Sequence, residues 1–144
     1  MSNPIEDIEK IGRISTSVTI LGRKVEMETL DDDSYCIALS STAVFDTTTR
    51  GQAIKRAILA RAIKSINGTR WNDLIKPEEK DSKNALVVAL ERLGKWQKTV
   101  IDVFYLEYSK LESASSKELD DLQDQILKNQ KADTSDSPTI ATSK

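Results

Sequence analysis

Histidine is absent from this 144-residue chain, and cysteine occurs once, at Cys36. Without histidine the commonest general base is missing, and with it every Ser-His-Asp or Cys-His mechanism. A zinc site needs histidine or several cysteines, which one thiol does not supply. A single cysteine also excludes an intrachain disulfide, and its place between Tyr35 and Ile37 points to an ordinary buried thiol. The five glycines, Gly12, Gly22, Gly51, Gly68 and Gly94, are isolated, and none belongs to a Walker-type or Rossmann phosphate loop. No apolar run approaches the roughly 18 residues needed to span a bilayer. The acidic N-terminus lacks the apolar stretch of a secretory signal. These absences argue against an enzyme, a cofactor, a metal site and a membrane protein. They favour a chain kept in a cytoplasm or in a particle assembled there.

Carboxylates are plentiful, but their spacing explains them without chemistry. Asp31, Asp32 and Asp33 precede a helical pattern, where acids cap the first turn and favour the positive end of the helix dipole. A calcium loop needs alternating ligands, a glycine and a closing glutamate, which this run lacks. Glu78, Glu79 and Asp81 earn the same reading.

What is present is one modest core and an uneven charge pattern. Hydrophobic residues make up 38% and charged residues 31%, which fits one domain with polar ends. The expected organisation is an N-terminal arm over 1–12, a single α+β domain over 13–113, an amphipathic helix over 114–128 and a polar tail over 129–144. That domain is mostly helical with one N-terminal β-hairpin, and the tail is either disordered or ordered by a partner. The net charge of −2 conceals a basic block: residues 51–76 hold six bases and only Asp73.

Ile14, Thr16, Val18 and Ile20 alternate with polar residues, Leu21-Gly22-Arg23 signals a turn, and Val25 and Met27 alternate again, which predicts the hairpin. A helix from about Asp32 to Val44 should bury Tyr35 and Leu39, with Ala38 and Ala43. The strongest helical signal runs from Arg50 to Ile66, where Ile54, Ile58, Leu59, Ala62, Ile63 and Ile66 share half the circumference. Arg50, Arg56, Arg61 and Lys64 fall on the opposite arc, with Lys55 as the outlier. Asn67-Gly68 is a turn. Leu86, Val87, Leu90 and Leu93 mark a helix that Gly94 ends as a C′ residue. Gln97–Leu111 forms another, burying Val100, Ile101, Phe104, Tyr108 and Leu111.

Arg50, Arg56, Arg61, Lys64 and Arg70 form a basic face that suits either a phosphate backbone or an acidic protein partner. The chain is acidic overall and no aromatics interleave with these bases, so a protein partner is favoured over nucleic acid. A solvated face paired with acidic neighbours outweighs both. Trp71 and Trp96 are candidate interface anchors, though a tryptophan in a small domain is more often packed in the core. Leu119, Leu122 and Ile126 form a narrow stripe that reads as a docking helix.

The order of segments, VTILGRKVEMETL, an acid-capped helix, FDTTTRGQAIKRAILARAIKSINGTRW and a later VFYLEYSKLE, resembles the bacteriophage tail assembly chaperone family. It is also similar to the small baseplate hub proteins of T-even-type contractile-tailed phages. The similarity covers about residues 18–113. It implies a protein that binds tail, baseplate or tape-measure protein, as an assembly chaperone or a structural component, with the Arg50–Trp71 region and the later helices in contact. The implied location is the host cytoplasm during assembly, or the virion tail or baseplate, within a larger assembly. Two other classes fit the residues: a small nucleic-acid-binding protein using the basic 50–70 face, and a head–tail connector component.

Overall fold

Two tight turns, each with two consecutive residues at positive φ, shape the sheet. Leu21 (φ 51°) and Gly22 (φ 78°) join β1 (Ser15–Ile20) to β2 (Arg23–Glu28), and the strands pair antiparallel from Ser15↔Glu28 to Ile20↔Arg23. This backbone twists with the strands, which is why two-residue hairpins favour it. Asn67 (φ 51°) and Gly68 (φ 82°) make the second turn, closed by pairing of Ile66 with Thr69. Asn67 ties the two turns together: its Oδ1 accepts from the Lys24 amide at 2.9 Å, and its own amide donates to the Lys24 carbonyl at 2.7 Å.

The computed structural model describes residues 3–134, a mixed α+β arrangement that is mostly helical. Helix α1 (Pro4–Lys10) precedes the hairpin, and α2 (Asp32–Ser40) follows it, capped by Asp31, whose carboxylate accepts from the Ser34 amide at 2.8 Å. Helix α3 (Thr47–Ala62) is capped by Asp46, which accepts from the amides of Thr48 and Thr49. It runs directly into a third strand, β3 (Ile63–Ile66), which pairs antiparallel with β2 to complete the sheet order β1-β2-β3. After 3₁₀ turns at Trp71–Leu74 and Pro77–Glu79 come α4 (Ala85–Leu93) and α5 (Lys98–Thr134).

The core is one cluster centred on α3, which contacts α2, α4 and α5. Ala53, Ala57, Ala60 and Ala62 are buried along it, and their small side chains let the neighbouring helices approach closely. Ile20, Val25 and Met27 supply the sheet face, and Ile101, Phe104, Tyr108 and Leu111 supply the α5 face. Tyr108 is fully buried, and its hydroxyl accepts from the Leu30 amide at 3.2 Å. Asp102 fastens α5 to α3, taking Lys55 at 3.0 Å and Lys98 at 2.7 Å.

Four features differ from the sequence expectation. First, Ile63 and Ile66 lie on a strand instead of the last turn of α3. Their spacing from Ile58 and Leu59 suits a helix, but Ile-Lys-Ser-Ile also alternates, and pairing with β2 decides between the two. Second, α2 ends at Ser40, before Val44, and buries Ala38; Tyr35 is 39% exposed. Cys36 is exposed as well, because two residues from Ala38 is about 200° round the helix. Third, Gly94 ends α4 with φ −63°, a right-handed conformation and not the left-handed C′. A Cβ there would lie 3.3 Å from the Leu90 carbonyl of its own preceding turn and 3.6 Å from the Arg56 guanidinium, so the site is close-fitting without demanding a left-handed residue. Fourth, α5 passes through residues 113 and 128 as one helix, since 98–134 contains neither glycine nor proline. The expected polar tail therefore begins with helix over 129–134, and its remainder, 135–144, lies outside the described residues.

Candidate protein-binding surface

The turn between α2 and α3 presents two apolar side chains to solvent. Val44 is 89% exposed and Phe45 is 37% exposed. They stand there because Asp46 caps α3 and fixes the chain's entry, while Ser41 and Thr42 turn back on the end of α2 through hydroxyl bonds to the carbonyls of Ala38 and Leu39. Arg50 holds the turn against α3, its Nη2 donating to the Ala43 carbonyl at 3.0 Å. The Arg56 guanidinium lies 5.9 Å from the centre of the Phe45 ring, within cation–π reach. Beside Phe45 an apolar groove of about 340 Å³ runs between α3 and α4, with Ala53, Ala57 and Leu90 on its walls and Arg56 and Glu91 at its rim.

The basic residues expected to share one face are divided among several places. Arg50 and Arg56 come together at the Val44–Phe45 turn. Arg61 and Lys64 meet at a separate cleft of about 550 Å³, which Arg13, Glu28, Asp31 and Asp32 also line. There Arg61 donates to the Ala57 carbonyl at 2.8 Å and Lys64 to the Arg61 carbonyl at 3.1 Å. Burial lowers the affinity of the Arg61 guanidinium for its proton. The acids of this cleft have partners of their own. Arg13 pairs with Glu28 at 3.2 Å and holds that carboxyl below its ordinary range, and Asp31 is held low by the Ser34 amide it caps. Arg70 stands apart, paired with Asp73 at 3.4 Å in a 3₁₀ turn. Lys55 faces α5, bound to Asp102 and 5.8 Å from the Tyr105 ring.

Both tryptophans are partly buried and pack on the core. Trp71 donates its indole N–H to the Ile63 carbonyl at 3.0 Å, and Trp96 lies against Phe104 with ring centres 4.9 Å apart. The sequence drew attention to the bases around residue 50 but not to the apolar pair that two of them flank. The available signal was Val44-Phe45 directly before the capping Asp46, a position where large apolar residues have no helix face to join.

Among the described residues no group of three Cys, Asp or Glu side chains converges to hold a metal. No helix among them is long and apolar enough to cross a membrane. Comparison with models of known protein families, with curated proteins and with solved structures returned no match.

Proposed function

We propose that this chain is a protein-binding component of bacteriophage tail or baseplate assembly, either a structural baseplate protein or a chaperone for a tail or tape-measure protein. The observation that carries the binding half of this reading is the exposed Val44–Phe45 pair beside the α3–α4 groove, with Arg56 at the groove's rim and Arg50 bonded to the carbonyls just before the pair. A large exposed valine next to a half-exposed aromatic ring is costly to leave in water and gains by burial against a partner. Two arginines beside it favour an acidic segment, with the charges steering approach and setting register. The tail context rests on the resemblance in residues 18–113.

Such a partner inserts one apolar side chain between Ala53, Ala57 and Leu90 and covers Phe45, while its carboxylate meets Arg56. Nucleic acid is disfavoured by the division of the bases, since Arg50, Arg61 and Arg70 do not form one row.

Co-expression with each tail or tape-measure protein tests this reading. The true partner becomes more soluble and co-purifies with the chain. Val44→Asp combined with Phe45→Ala removes that effect while near-ultraviolet circular dichroism of Trp71 and Trp96 stays unchanged. If no tail protein responds, the tail reading is lost. If a responding partner still binds the double variant, the surface is misassigned.

A further inference from the structure

We propose that the projecting part of α5 pairs antiparallel with the same segment of a second copy of this chain. Within the body, Ile101, Phe104, Tyr108 and Leu111 form the buried stripe of α5. At 100° per residue, Leu119, Leu122 and Ile126 fall on that same arc. Beyond Leu111 the body recedes from the helix, bordering it last near Ser115 and Leu119, and these three are 46%, 37% and 45% exposed. One stripe thus serves the core at its beginning and lies open further on. The N-terminal arm covers the near end, where Ser115 bonds the Gly12 carbonyl, the Gly12 amide donates to Glu118 at 3.4 Å and Ile11 and Gly12 border Leu119; Leu122 and Ile126 lie beyond it.

Charge order selects the occupant. Residues 117–124 carry Glu118, Asp120, Asp121 and Asp124 against Lys117 alone, whereas residues 125–131 carry Lys128 and Lys131 and no acid. A parallel pair sets acid against acid. An antiparallel pair with Leu122 opposite Ile126 sets each acidic segment against the other's basic one, so the segment is complementary to itself. A basic helix from another protein matches only the first half. Asp124, near the two-fold axis, points away from the stripe, which keeps the two copies of it apart.

The dimensions also fit. Residues 115–134 extend roughly 28 Å at 1.5 Å per residue, so each helix ends near the other copy's body and the two bodies do not collide. The contact is isologous and closes at two copies. It leaves the Val44–Phe45 turn open.

Sedimentation equilibrium of the full chain over a concentration series tests the pairing. The expected result is a mass that rises to twice the monomer, and Leu122→Glu with Ile126→Glu weakens self-association by at least about a hundredfold. Both positions are exposed, so the double variant retains its circular dichroism from the body. Orientation is read in a Cys36→Ser background: Glu118→Cys mixed with Asn129→Cys forms a disulfide between the two chains. A wild-type chain that stays monomeric at all concentrations overturns the proposal, as does a double variant that dimerises like wild type. Asn129→Cys that cross-links to itself and not to position 118 overturns the antiparallel arrangement.

Discussion

Replacing Tyr108 by phenylalanine keeps the ring in the core and removes one oxygen, which isolates what the hydroxyl does. That oxygen accepts the Leu30 amide at 3.2 Å and lies 3.4 Å from a Glu112 carboxylate oxygen, to which it donates. In Tyr108→Phe the Leu30 N–H loses its partner at the partly buried junction of β2 and α2, a loss of about 1–3 kcal/mol at neutral pH. The hydroxyl also sets a pH dependence. Burial raises its pKa from 10 to about 12, with Glu112 adding to the rise. A folded pKa above the unfolded one means the stabilisation is complete below pH 10 and is lost as pH climbs from 10 to 12. Two pH units correspond to at most about 3 kcal/mol. Urea denaturation followed by tryptophan fluorescence, for both proteins from about pH 8 to 11.5, gives the difference in stability directly. Every other group is common to the two proteins, so its contribution cancels in the difference. The expected difference favours wild type at pH 8 and shrinks above pH 10. A difference that stays constant across the window refutes the assignment of the alkaline transition to Tyr108.

Two further substitutions follow from the backbone and from the α3–α5 fastening. Leu21 adopts φ 51° in the first hairpin turn with its side chain 52% exposed, a conformation that costs a leucine about 1–2 kcal/mol. Leu21→Asn copies the Asn-Gly pair at residues 67–68 and is expected to raise stability by about 1 kcal/mol in urea titration; a loss of stability contradicts the turn assignment. Asp102 is held at a pKa of about 2, first by Lys98, then by Lys55. Its folded pKa is depressed, so its contribution is present above about pH 4 and is lost as pH falls from 4 to 2. Asp102→Asn is expected to remove that part of the acid transition in a thermal-melt series, and an unchanged difference between the two proteins at pH 6 and pH 2.5 refutes it.

Much of the fold was legible in local patterns. The first hairpin follows from alternation around Leu21-Gly22, and the start of α2 follows from the aspartates at 31–33, because a turn and a cap are each decided by a few adjacent residues; α3 starts at Thr47, three residues before the Arg50 at which its periodicity becomes visible. The ends of elements were less legible. Ser40, Ser41 and Thr42 can bond their own backbone, as all three do here, and such competition stops a helix at a point set by what it packs against. At Ile63 two periodicities coincide, and only β2, nearly forty residues earlier, chooses the strand. The register shifts between Glu26 and Met27, leaving Lys64 without an opposite residue. Such a shift depends on the partner strand and has no signature in the Lys-Ser pair itself.

The candidate surface shows the same division more sharply. A helical projection gives the direction in which a side chain leaves its own helix, and on that basis Lys55 was the exception among the bases while Arg50, Arg56, Arg61 and Lys64 belonged together. What a cation does, however, is set by what lies across from it. Lys55 meets Asp102 and has its charge compensated, whereas Arg56 meets the Phe45 ring, which leaves its charge available to a partner. Arg61 turns to a carbonyl of its own helix, and Lys64 sits on a strand that the projection did not contain. Of the two arginines that remain at an exposed apolar turn, Arg50 is held by the carbonyls of Thr42 and Ala43, and Arg56 stands at a groove that Leu90 and Glu91, distant in sequence on α4, complete. A basic block in a sequence therefore fixes how many cations a surface has to place. The packing of the helices around α3 determines which of them stand beside apolar surface, and only those can add charge selectivity to a docking contact.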